Sequence, residues 1–171
     1  ETIPRGRFRQ EYRGFVASDR ALLARIESSL AVLSPTSDPK LALLIEIIEA
    51  SPAQKIAVFA GFADTVGYLD EHLPSIIDGR SRVSIVGGLS DPDSRTAALA
   101  QFCPETVVRP GYVPPAGEVD LLLSTDVVSE GQNLQQAAAV VSYDMPWNPQ
   151  RVVQRNGRVI RLKSPHDTVY L

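Results

Sequence analysis

The chain has 171 residues, 44% of them hydrophobic, and a formal net charge of −3. That length and apolar content support one domain with a real core and exclude wholesale disorder. The slight acidity excludes a chain coated in nucleic-acid-binding surface, though not a local basic groove. One cysteine excludes an internal disulfide, and with only two histidines, His72 and His166, it makes no metal-ligand cluster.

Cys103 fits a reducing, cytoplasmic setting and, beside Phe102 at a helix end, is expected to act as a small buried hydrophobe. No apolar run approaches the length of a membrane span, so none is expected. The chain opens on Glu1 and closes on the strand-like TVYL, and it reads as a piece of a longer protein.

In chain order, residues 8–33 carry Leu22, Leu23, Ile26, Leu30 and Leu33 at helical spacing. Residues 1–37 are read as a helical extension, a linker or a packing element. The run from Ser34 to Pro39 breaks the pattern, with Ser37 or Asp38 able to cap the next helix and Pro39 inside its first turn. That helix runs to about Ala50 and opens a second region, 38–171. KIAVFA from Lys55 reads as a strand, a helix follows from about Asp64 to Leu73, and RVSIVGG from Arg82 is the next strand. Asp91 caps a helix to Phe102, with Pro92 first inside it. Pro104 to Gly117, with four prolines, reads as a long surface loop. VDLLLST from Val119 and AAVVSYD from Ala138 are continuous apolar runs, suited to strands buried on both faces. Strands alternating with helices predict an α/β fold, a mainly parallel sheet covered on both sides. Ligands bind at the carboxyl ends of such strands, which directs attention to the segments after Phe59, Ser124 and Asp144.

Two of those segments carry candidate chemistry. In STDVVSEGQNLQ, short hydroxyl side chains and free amides suit a phosphate, Gly131 allows close backbone approach, and Asn133 offers a donor and an acceptor for a ribose. An ordinary strand-to-helix turn uses the same residue types. In WNPQRVVQRNGRVIR, Asn148 is a plausible N-cap with Pro149 first in the helix. Gln154, Arg158 and Arg161 share a face if the helix continues; Gly157 instead could end it and splay the two arginines. Two arginines three apart can present two planar, permanently charged forks to one polyphosphate. Five cations lie between Arg151 and Lys163, with no acid between Asp144 and Asp167. A solvated basic face is the plainer reading of such a cluster. Trp147 is expected in the core rather than over the groove. Asp70-Glu71-His72 has the letters of an acidic metal-binding box but falls at a helix end, so it reads as a solvated face. There is neither a phosphate-cradling G-x-x-x-x-G-K-[ST] loop nor a G-x-G-x-x-G fingerprint.

Taken together, KIAVFAGFADT, GGLS with Arg95 and Phe102, STDVVSEGQNLQ, and YDMPWNP leading into QRNGRVIR resemble, in order and spacing, the motifs of the second RecA-like domain of superfamily-two helicases, most closely the Swi/Snf-like translocases. The resemblance covers Lys40 to Leu171. It implies a RecA-like three-layer sandwich and an ATP site shared with an N-terminal RecA-like domain that supplies the P-loop and the Mg2+ ligands. It implies that Arg158 and Arg161 reach the γ-phosphate as arginine fingers, supported by Gln154. Glu130 and Gly131 would lie near the nucleotide's sugar side, with Asn133 in place of a carboxylate common in related helicases. Thr125, Gly87, Gly88 and Arg95 would lie along a nucleic-acid track, most readily for double-stranded DNA. Ser129-Glu130 departs from the paired glycines of typical remodellers, which favours a bacterial or phage-defence type of translocase. The alternatives are an inactive RecA-like module that only docks nucleic acid or protein, and an RNA-directed helicase.

Overall fold

The computed structural model describes residues 10–85, 91–126, 133–161 and 164–171. The chain divides into two compact units, Glu1–Pro39 and Lys40–Leu171. The first holds helix α1, Gln10–Leu30, and a 3-10 turn, Pro35–Ser37. Helix α2, Pro39–Ala50, starts on the proline as the sequence predicts and belongs from Lys40 on to the second unit.

The second unit is built on a five-stranded sheet. Its strands are β1 (Ile56–Ala60), β2 (Ile76–Ile77), β3 (Arg80–Ile85), β4 (Leu121–Thr125) and β5 (Ala139–Ser142), in the order β2-β3-β4-β1-β5. All pairs are parallel except β2 with β3. Between them lie α3 (Ala63–His72), α4 (Pro92–Phe102) and the single turn α5 (Pro104–Val107), and α6 (Pro149–Val159) follows β5. Successive residues of a strand face opposite sides, and the core separates accordingly. Ile56, Val58, Ala60, Leu121 and Leu123 pack with Leu44, Ile48 and Leu69 on one face. Ala57, Phe59, Leu122 and Val140 pack with Leu99, Phe102 and Val159 on the other. This is the three-layer arrangement expected, and it explains why β1 and β4 read as unbroken apolar runs.

Three expectations are refined. TVYL adds only one bridge, Tyr170 to Ala139, at the sheet's outer edge. The predicted loop after Cys103 begins as a turn of helix, because Gln136 Oε1 accepts the free amides of Glu105 (2.9 Å) and Thr106 (3.3 Å). The third strand starts at Arg80, two residues early, in a tight hairpin whose turn residues Asp78 and Gly79 have φ of 50° and 77°. Positive φ at both positions is what a two-residue hairpin needs, and Asp-Gly supplies it at little strain.

α4 is capped as predicted: Asp91 Oδ1 accepts the amides of Asp93 (3.0 Å) and Ser94 (2.9 Å). Its far end delivers Cys103 into the core, fully buried. Burial pushes the Cys103 thiol up to about 11. At pH 8 such a thiol is ionised to about one part in a thousand, against roughly a quarter for an ordinary thiol. Labelling of Cys103 by iodoacetamide at pH 8 is therefore expected to run at least ~100-fold slower in the native chain than in denaturant. Equal rates would remove Cys103 from the core.

Candidate functional site

The carboxyl ends of β1, β4 and β5 open into a groove of about 440 Å3. Gly61 and Phe62 line it after β1, Asp126 after β4, and Asp144 to Asn148 after β5. The central position of β1 between β4 and β5 brings these three ends together, where a parallel sheet offers a ligand crevice.

Asp144 organises one wall. Its carboxylate accepts the Lys40 ammonium (2.7 Å) and the Gly61 amide (3.1 Å). Burial is the largest single influence on its acidity and raises the pKa, but the Lys40 and Gly61 hydrogen bonds, with the charges of Lys40 and Arg155, outweigh it. The result is a carboxyl held below its ordinary 3.8. A depressed carboxylate stabilises the fold above the unfolded value and loses that contribution as pH falls through the folded one. Stability is thus expected to fall below pH ~4 and to fall less in Asp144→Asn, as read from urea midpoints at descending pH. Parallel acid profiles would contradict this.

α6 crosses the groove. Asn148 caps it, its side chain accepting the Gln150 amide at 3.0 Å, and Pro149 is its first residue, both as predicted. Gly157 does not end the helix. The helix runs through it to Val159 and closes with the Ile160 amide on Asn156 O. Arg161 therefore lies past the helix, folded back so that its Nε donates to Gly157 O at 3.1 Å. Gln154 is exposed while Arg158 is buried, so Gln154, Arg158 and Arg161 do not form one uniform face.

The two sequence segments do converge. Arg161 Nη1 donates to Asn133 Oδ1, and Leu134 N donates to Arg158 O at 3.1 Å. Asn133, Arg158 and Arg161 thus share one neighbourhood at the C-terminal end of α6. Thr125, at the end of β4, is buried, and its Oγ1 has no hydrogen-bond partner among the described residues; the same holds for Arg95 Nε on α4. Gly87, Gly88, Glu130 and Gly131 lie outside the described residues.

Trp147 differs from the sequence reading, and Arg155 escapes it. Trp147 is not in the core: it is 104% exposed on the groove's rim, because the Met145–Asn148 segment turns outward before the α6 cap. Asp70 and Glu71 lie exposed at the end of α3, as expected, and Asp70 there pairs with Arg82. Arg155, which the sequence reading passed over, is 1% exposed and grips Asp126 with Nε (2.5 Å) and Nη2 (2.9 Å). Its Nη1 donates to Asp144 O at 2.9 Å, and the guanidinium stands 5.9 Å over the Phe59 ring. The available signal was an acid placed directly after a buried strand.

Comparison with known proteins agrees with this geometry. The family described as "Helicase conserved C-terminal domain" matches residues 39–163. A 51-residue stretch is 43% identical to the uncharacterized ATP-dependent helicase YqhH of Bacillus subtilis, covering 30% of this chain and 9% of that protein. Among solved structures, the C-terminal part of the Fun30 ATPase domain superposes with a TM-score of 0.59 at 16% identity, over 80% of this chain and 40% of that one. The RNA helicase Prp28 of Chaetomium thermophilum, bound to ADP, gives 0.56 at 23%, over 81% and 31%. The chain thus spans less than half the length of each of these relatives. With a match over most of its length and a RecA-like sheet beneath it, the chain belongs to the helicase conserved C-terminal domain family.

Proposed function

We propose that this chain is the C-terminal motor domain of an ATP-dependent, Swi/Snf-like translocase that tracks along double-stranded DNA in the cytoplasm. The observation that carries the reading is the contact of Arg161 with Asn133, 28 residues apart, beside Arg158. Two motifs judged separately to face a nucleotide meet at one place.

Arg158 and Arg161 act as arginine fingers on ATP held mainly by an N-terminal RecA-like domain, with Gln154 in support. Glu130 and Gly131 take the sugar side. The residues present suit phosphates and a ribose: guanidinium forks and a carboxamide. The Mg2+ ligands are assigned, as the resemblance implies, to the other domain. ATP supplies the free energy when its terminal phosphoanhydride bond is cleaved. This chain's part is to neutralise charge at the γ-phosphate and to close the cleft.

The track is assigned to Thr125, Arg95, Gly87 and Gly88. An exposed indole near an arginine, as Trp147 and Arg151 provide on the groove, offers a strand both a stacking surface and a phosphate partner. The reading is tested by ATP turnover of a protein holding both domains, with duplex DNA, single-stranded DNA and RNA in turn. Duplex DNA is expected to stimulate most. With two phosphates neutralised, by Arg95 and Arg151, its affinity should drop roughly 12-fold for a fourfold rise in salt. A flat salt profile would count against phosphate tracking. Stimulation by RNA alone would favour an RNA-directed helicase, the second reading, which the likeness to Prp28 supports. A motor inert to every nucleic acid would leave only a docking module.

A further inference from the structure

The resemblance assigns no role to Arg155, yet it is the most enclosed charged side chain of the site. Three of its donors are spent: two on Asp126 and one on the Asp144 carbonyl. Asp126 directly follows Thr125, at the end of β4, and Arg155 lies one turn before Arg158 on α6. A two-pronged guanidinium–carboxylate contact fixes angle as well as distance, which a point charge does not. Such a buried pair is a poor device for stability, since apolar residues of similar volume do as well or better. Its geometry ties the end of β4 directly to the middle of α6, while the Asn133–Arg161 and Leu134–Arg158 contacts join the same two segments farther along the helix.

We infer that Asp126 and Arg155 are positioning residues, forming a rigid strut between the segment after β4 that meets nucleic acid and the helix that aims Arg158 and Arg161 at ATP. Occupancy of the track displaces the end of β4, the strut carries that displacement into α6, and the fingers reach their working position. Hydrolysis then depends on a bound strand. Asp144 steadies the same guanidinium from β5, itself held by Lys40 and Gly61. This inference rests on the motor reading above.

The test uses the two-domain protein and two variants. Asp126→Asn keeps the side-chain shape but sets an NH2 group or a neutral oxygen against the guanidinium; Arg155→Lys keeps the charge but loses the fork. ATP turnover is measured with and without saturating duplex DNA, alongside DNA affinity and thermal melting. The ratio of stimulated to unstimulated turnover is expected to fall by about 5- to 150-fold, the span of ordinary coupling, while DNA affinity changes much less. A folded variant that keeps the wild-type ratio would overturn the strut. Should neither variant fold, hydrogen exchange on the wild type decides: duplex DNA without nucleotide should alter protection of the α6 amides, and unaltered exchange would overturn the inference. A wild type that ignores every nucleic acid would sink the motor reading and the strut together; a responsive wild type with equally responsive variants would sink the strut alone.

Discussion

In the two-domain protein, Arg158→Ala is expected to slow ATP hydrolysis by about 10^3- to 10^5-fold, the range measured for arginine fingers elsewhere. The argument is electrostatic. Charge accumulates on the γ-phosphate oxygens and the leaving oxygen as the bond breaks, and a fixed guanidinium in a water-poor cleft meets it without reorganisation. ATP binding should change far less, because the phosphates are cradled mainly by the other domain. Arg158→Lys should recover little, since an ammonium lacks the planar fork. Arg158 is buried in this chain, so part of any loss could come from packing. Thermal melting of the variant separates the two causes. Turnover within tenfold of wild type in a folded Arg158→Ala protein would remove Arg158 from the finger role.

Asp126→Ala is expected to cost about 3–5 kcal/mol of folding stability. The residue compensates a guanidinium that is 1% exposed, and removing it leaves that buried charge with one hydrogen bond, to the Asp144 carbonyl, beside the Phe59 ring. Typical domains hold about 5–15 kcal/mol in total, so the urea midpoint of this variant should collapse. Replacing both partners with apolar residues, Asp126→Leu with Arg155→Met, should recover most of the loss, because the double change removes the charge rather than stranding it. A single-variant cost below ~1 kcal/mol would show that the guanidinium finds another partner on relaxation.

Much of the fold was legible because the decisive signals are local. β1 and β4 are buried at every position, and five consecutive apolar or small residues can mean little else between turn signals. The caps at Asp91 and Asn148, each followed by proline, mark helix starts by satisfying free amides within three residues. The hairpin before β3 was equally local, since Asp78-Gly79 is a turn signal, but a two-residue strand leaves no periodicity to flank it. The site was less legible because its contacts are not local. Arg155 meets an acid 29 positions away, and within a run of arginines nothing in the letters separates the buried one from its neighbours. Trp147 was misplaced by the general tendency of large aromatics to be enclosed, which a short segment turning outward ahead of a helix cap overrides.

The exposed position of Trp147 has a practical side. It is the sole tryptophan of the chain, and it stands in water on the rim of the groove rather than in the interior. Its emission should be red-shifted already in the native state and should barely shift when the chain is denatured, making it a poor reporter of unfolding. For the same reason it is a native fluorophore for the groove: whatever settles there will quench or blue-shift it, and titrations can be followed with no dye attached.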